Sequence, residues 1–294
     1  MKVSRVAGVL VGIAWAAISC GNSSSRNGFS SGDDSGVDAG GAADSSLDVG
    51  PRGDSGSGDS MSLVGDGAVA EGGACKKLNI GILGNPGSNP SSDFQAWLVS
   101  AGTSVTRIQT MAPTPVVTAA TLMPFDVVIL DWLTRDYASA EAAALASFVS
   151  AGGGVISMSG YDGVSTDDWH ANSLLAPLEV AYSGPLLDGP VTTFAVHPTT
   201  LGLTSVTFAG GYAVTDLGGT ASTRTSVAFL PNPSGAGNVT VAYAVTMGSG
   251  HAFVWGDEWI EFDSEWSTLP EIKQLWVQVF AWVARPGNCM LMPQ

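Results

Sequence analysis

The sequence predicts an α/β domain: a doubly wound, mostly parallel sheet with an added antiparallel hairpin. Three observations carry this. The stretches "LNIGILG" (78–84), "DVVILD" (126–131) and "VISMSG" (155–160) are almost wholly apolar, the pattern of strands covered on both faces. Segments of helical period lie between them, so strands and helices alternate at short intervals and the strands run parallel. Near the C terminus "VTVAYAVTMGSGHAFVWG" reads as two strands turning at "MGSG".

The elements follow in order. The first strand ends in Gly84. "PSSDFQAWLVSAG" is a helix with Ser91 or Ser92 as N-cap, apolar Phe94, Trp97 and Leu98, and Gly102 as its stop. "SVTRIQ" and "DVVILD" are the second and third strands. "SAEAAALASFVSAGGG" sets Ala142, Leu145, Ala146 and Val149 at helical spacing before three glycines end the helix, and "VISMSG" is the fourth strand. The pattern then loosens into shorter strands at "LEVAYSG", "VTTFAV", "TSVTFAGGYAV" and "SVAFLP", followed by the hairpin. A last helix runs from Leu269 to Ala284. Thr268 and Glu271 have capping-box spacing, and Ile272, Leu275, Trp276, Val279, Phe280 and Val283 form one stripe that belongs to the core.

The N-terminal part is of another kind. "MKVSRVAGVLVGIAWAAISC" has a basic start and an apolar run from Val6 to Ala17, too short for a bilayer span of about 20 residues, so residues 1–19 read as an export signal. Residues 20–74 are Gly, Ser, Ala and Asp with almost nothing to bury. They read as a disordered acidic tether, because burial cannot offset their ordering entropy. The folded domain is expected over 75–294.

Charge narrows the partners. The chain has a net charge of −15, and residues 75–294 hold 17 Asp and Glu against 7 Lys and Arg. That balance argues against nucleic acid, whose phosphates call for cations. Of three cysteines, Cys75 and Cys289 bracket the domain. In an exported chain they are expected to form a disulfide, since the first strand begins and the last helix ends at the same edge of the sheet.

Open parallel sheets bind ligands beyond the carboxyl ends of their strands. Asp131 and Trp132 follow the third strand, Tyr161 and Asp162 the fourth, and Asp257, Glu258 and Trp259 the hairpin. Aromatic faces beside carboxylates suit a sugar: rings stack on its CH faces and carboxylates accept from its hydroxyls. These seven residues are the expected ligand-binding wall, with Trp169 and Trp266 as further aromatics on or just after the same edge. The carboxylates could instead take a hard cation, but no His or Cys pair has metal spacing, and neither metal nor cofactor is expected.

Two motifs carry a resemblance. The "GGG" exit into "VISMSG" and the "HPTTLGL" turn (197–203) resemble the trehalose-utilisation branch of the class I glutamine amidotransferase-like superfamily. The resemblance implies a flavodoxin-like sheet over roughly residues 78–284. In catalytic members a cysteine follows this fourth strand, where "SMSGY" has Ser159. Their histidine and glutamate fall, on "WGDE", at Gly256 and Glu258. Cysteine and histidine are both absent, so the resemblance implies no amidotransferase and no catalytic residues. The ending "AISC" resembles a lipobox, with Ala17 where the family usually has Leu; the resemblance implies acylation of Cys20, anchoring through an N-terminal lipid and, with Gly21 next, placement in the outer membrane, and ordinary secretion with cleavage nearby is the alternative. The expected role is binding of carbohydrate or another envelope ligand. A serine hydrolase using Ser159 and a passive envelope scaffold are the alternatives. For Ser159 the candidate base is His170, because His251 begins a strand at the wrong edge and His197 lies in a turn.

Overall fold

The computed structural model describes residues 75–84, 92–108, 116–160, 169–258, 262–266 and 270–289. The chain divides into two units, Met1–Gly65 and Asp66–Gln294, and every described residue belongs to the second. The signal, Cys20 and the tether lie outside the described residues.

A two-residue strand β1 (Lys76–Lys77) precedes β2 (Asn79–Leu83), α1 (Ser92–Ser100) and β3 (Ser104–Ile108). A short helix α2 (Ala119–Leu122) then leads into β4 (Val127–Leu130), α3 (Ser139–Ser150) and β5 (Gly154–Met158). Helix α4 (His170–Leu175) opens the second half, followed by β6 (Val180–Asp188), β7 (Thr193–Phe194), β8 (Ala209–Asp216) and β9 (Thr223–Pro231). Strands β10 (Asn238–Met247) and β11 (Gly250–Trp255) form the hairpin at "MGSG"; α5 (Asp263–Trp266), α6 (Pro270–Val283) and β12 (Asn288–Cys289) complete the domain.

The main sheet has eight strands in the order β3-β2-β4-β5-β11-β10-β9-β7. The first five are parallel and the remainder add antiparallel pairings. Counted along the chain, the parallel strands stand in the order 2-1-3-4-5, the doubly wound order whose switch point lies between β2 and β4. Each buried strand serves two cores. Val127 and Ile129 of β4 pack into the layer under α1 and α6, while Val128 and Leu130 pack into the layer under α3 and α4. That is period-two alternation with both faces apolar, and it explains the unbroken hydrophobic runs. Helix α6 buries the whole expected stripe from Ile272 to Val283, each large side chain contributing roughly 1.5–3 kcal/mol.

Three features differ from the sequence expectation. The antiparallel addition is larger than a hairpin, because β9 and β7 extend the sheet beyond β10. Strands β6 and β8 pair only with each other, as a separate two-stranded sheet. "TSVTFAGGYAV" is not one strand: Val206 makes an isolated bridge to Val191, and the regular pairing starts at Ala209. At the opposite edge β1 pairs with β12, Lys76 with Asn288 and Lys77 with Cys289, which brings the chain ends of the domain together.

Candidate functional site

The switch point between β2 and β4 is closed at backbone level by the residues that follow each strand. Asp131 N–H donates to Leu83 O at 2.9 Å, and Gly84 N–H donates to Ile108 O at 3.1 Å. Gly84 has φ +129°, and a Cβ there would lie 1.5 Å from Asp131 O, so only glycine fits. Asp131 is 3% exposed and accepts from Arg107 Nη1 of β3 at 2.7 Å. Its carboxylate serves the sheet rather than solvent. Trp132, half-buried, is held at φ +45°. A left-handed conformation costs an L residue roughly 1–2 kcal/mol, and such strain gathers at functional positions.

The loop behind Trp132 is rigidly fixed. Arg135 grips the buried Glu141 carboxylate with two bonds, Nη2 to Oε1 at 2.8 Å and Nη1 to Oε2 at 3.0 Å. Val116, Val117 and Ala138 donate their N–H groups to the same carboxylate. The Arg135 bonds outweigh desolvation, and with these backbone donors they hold the Glu141 carboxyl down to about 2. Arg135 also lies over the Tyr137 ring at 3.9 Å. Two further contacts tie this loop to α4: Tyr137 N–H donates to Ser173 Oγ at 2.9 Å, and His170 Nδ1 meets Asp136 Oδ1 at 2.8 Å. The same links place the loop of Trp132 beside the start of α4, where Trp169 is 47% exposed. Trp169 stands edge-on to Tyr212 of β8 with ring centroids 6.4 Å apart.

The ends of β5 and β11 are different, because β8 roofs them. Gly160 bridges Gly211, Tyr212 N–H donates to Gly256 O at 2.7 Å, and Ala209 N–H donates to Asp257 Oδ2 at 2.8 Å. Glycines make the approach feasible. A Cβ at Gly256 would sit 2.0 Å from Tyr212 O, and one at Gly211 would sit 2.3 Å from Gly256 O. Asp257 is 0% exposed, and Ser159 and Glu258 are buried. Beneath the roof Tyr182 of β6 donates its hydroxyl to Ser157 Oγ at 2.8 Å. Burial pushes that phenol above its ordinary range, and the nearby charge of Glu258 adds to the shift.

The expected wall is therefore only partly assembled from described residues. Trp132 is half-buried, Asp131 and Asp257 are engaged internally, and Glu258 is buried; Tyr161, Asp162 and Trp259 lie outside the described residues. Trp266, expected on or just after the edge, is core, packed against Phe94 at 5.3 Å and Trp97 at 5.2 Å. His170 heads α4 instead of riding a loop, and His251 begins β11 at the far edge as expected. Among the described residues no group of three His, Cys, Asp or Glu could hold a metal. Sequence reasoning missed Arg107, Glu141 and Tyr212. A lone arginine inside "SVTRI" and a glutamate at the third position of α3 were readable signals; Tyr212 gave none.

No family model matches the chain, and no curated protein matches it. Solved structures do. The mmIFT52 N-terminal domain matches 68% of this chain and 96% of its own, at 14% identity and TM-score 0.53. Cytoplasmic protein STM1381 from Salmonella typhimurium LT2 matches 71% of this chain and 100% of its own, at 14% identity and TM-score 0.52. A putative thua-like protein from Bacteroides uniformis matches 76% and 98%, at 14% identity and TM-score 0.49. At this identity the first two similarities speak for one thing, a shared α/β fold.

Proposed function

We propose that this chain is a surface lipoprotein whose amidotransferase-like domain binds a carbohydrate or another envelope ligand without turning it over. The observation that carries the reading is the contact at Gly256. The position that the resemblance gives to a catalytic histidine has no room even for a Cβ, because the Tyr212 carbonyl lies 2.0 Å from where it would stand. That contact supports a domain without the family's general base, since the position given to it has no side chain and no space for one. What remains for function is the neighbouring switch point, with Trp132 in a strained conformation, and the start of α4, where Trp169 is exposed. Those two rings supply stacking faces. Tyr161, Asp162 and Trp259 are proposed to complete the wall, while Asp131, Asp257 and the buried Glu258 support it from within.

Intrinsic fluorescence against a glycan panel tests this. A ligand that shifts the emission should lose roughly 1–3 kcal/mol of affinity in Trp169→Ala or Trp132→Ala, the scale of a lost anchor. Ser159→Ala should bind as the parent does. One observation favours a second reading: His170 and Asp136 form the base–carboxylate pair that a serine hydrolase needs. Turnover of an ester or amide that vanishes in Ser159→Ala would establish it in place of binding. With neither ligand nor turnover, the passive scaffold stands.

The same proposal includes the anchor and the bridge. Cys20→Ser should release the chain from membranes, and equal detergent partitioning of variant and parent would refute the lipid. The pairing of β1 with β12 supports a disulfide between Cys75 and Cys289. Thiol reagents should reach neither cysteine until a reductant is added.

A further inference from the structure

At the strand-start edge of the sheet, far from the switch point, two histidines flank one tryptophan. His197 stands edge-on to Trp282 with centroids 5.0 Å apart, and His251 lies tilted over the same ring at 4.4 Å. Trp282 is at the end of α6, His251 at the start of β11, and His197 heads the "HPTTLGL" turn. That turn is held to α6 through Leu201 O, which accepts from Gln278 Nε2 at 2.5 Å and Gln274 Nε2 at 3.3 Å.

The hydrogen bonds of the two histidines differ in a way that matters. His197 Nδ1 accepts from Thr199 N–H at 3.2 Å and meets Thr199 Oγ1 at 2.8 Å, capping the single 3-10 turn over Pro198–Thr200. A backbone N–H can only donate, so Nδ1 must carry a lone pair, and neutral His197 holds its proton on Nε2. His251 Nδ1 meets Thr246 Oγ1 at 3.2 Å, a hydroxyl that can donate or accept. His251 can therefore take a proton by turning that hydroxyl. His197 cannot, because a proton on Nδ1 sets two donors against each other and the cap is lost.

We propose that the His197–Trp282–His251 stack is a pH-sensitive latch, in which protonation of His197 frees the Pro198–Leu203 turn from α6. One imidazolium gains from the Trp282 face, and His251 can be that one. A second on the same ring is repelled by the first. The other charges near these elements do not offset it. Glu271 and Lys273 lie toward the start of α6, about 16 Å and about 13 Å along the helix from Trp282. Arg285 donates to Gly152 O at the same edge and is itself a cation. Arg224 of β9 is paired with Glu179 and Asp216. Strand β10 brings only Tyr243, and β7 and the 3-10 turn bring no ionisable group. Burial, joined at His197 by the charge of His251, lowers both imidazoles below their ordinary value. The sign follows: the docked turn prefers neutral His197, the freed turn takes up the proton, so docking is complete above about pH 6.5 and is lost on acidification. Release exposes Trp282 beside the already exposed Val196 and Leu201.

Amide hydrogen exchange of the full chain tests the latch, with protection factors for residues 197–203 compared between about pH 7.5 and about pH 5. Protection at Thr199, Thr200 and Leu203 should fall by roughly tenfold or more, while that of β4 and β5 stays unchanged. His197→Asn keeps a side-chain cap without a titrating group, and its turn should stay protected at both pH values. His251→Gln removes the neighbouring charge, and its transition should move to higher pH. Unchanged protection of the parent turn down to about pH 5, or an equal loss in His197→Asn, overturns the proposal. Neither result bears on ligand binding at the opposite edge.

Discussion

Two strand ends of this sheet begin with the same chemistry and finish differently. After β4 comes Asp131-Trp132; after β11 come Asp257, Glu258 and Trp259. Asp131 is turned sideways into its own sheet, onto Arg107 two strands away, and that end keeps a half-buried tryptophan in a strained conformation. Asp257 is turned upward and holds the backbone of β8, which seats the second sheet on the end of β11. The first arrangement leaves Trp132 half-buried at the switch point, where the binding proposal places its site. The second converts the place where the resemblance puts chemistry into a packed contact between two sheets. An acidic residue beside an aromatic one at a strand end thus marks the edge, but its role depends on which donor lies across from it.

The comparison can be broken most forcefully at Gly256. A Gly256→Ala variant drives a Cβ into the Tyr212 carbonyl, and separating β8 from β11 should cost about 3 kcal/mol or more, read from chemical denaturation. A variant as stable as the parent would show that the roof is loose and the site beneath it reachable. Next in size is Arg107→Met, which strands the buried Asp131 carboxylate and should cost about 2–3 kcal/mol. Adding Asp131→Leu should restore most of that loss; if it does not, the pair has a role besides charge balance.

A smaller effect separates the loops. Glu141 fixes the segment behind Trp132 and has no counterpart in the contacts described under the roof. Glu141→Gln should cost about 2 kcal/mol at neutral pH through weakened charge-assisted bonds. Because the folded carboxyl is held at about 2 against an ordinary 4.5, its contribution is complete above 4.5 and is lost as pH falls towards 2. The gap between parent and variant should therefore close on acidification. A gap independent of pH would assign the effect to packing.

The smallest expected change in stability is at Trp132. Trp132→Gly relieves a left-handed strain of about 1–2 kcal/mol and forfeits a comparable amount of burial, so the net change should stay within about 1 kcal/mol. Affinity for a glycan that the parent binds should nonetheless fall by roughly 1–3 kcal/mol. A large loss of stability instead would make Trp132 a core residue, and the open end would then be no more open than the roofed one.

The sequence by itself determined the parallel half. Strands β2, β4 and β5 lie between two layers of helix, so nearly every side chain is apolar, and burial of that kind is written locally as an unbroken run. It determined α6 for the same reason, since a stripe at helical spacing needs no knowledge of its partner. Sequence also located the edge that carries Asp131, Trp132, Asp257 and Glu258. It did not determine which of them turn into the packed interior. That depended on contacts between segments far apart in the chain: Arg107 reaching Asp131, Ala209 reaching Asp257, and Tyr212 lying on Gly256. A glycine or a carboxylate reads the same whether it faces water or another strand. Only the packing of β8 against β11 made one of these ends a wall and left the other as a candidate site.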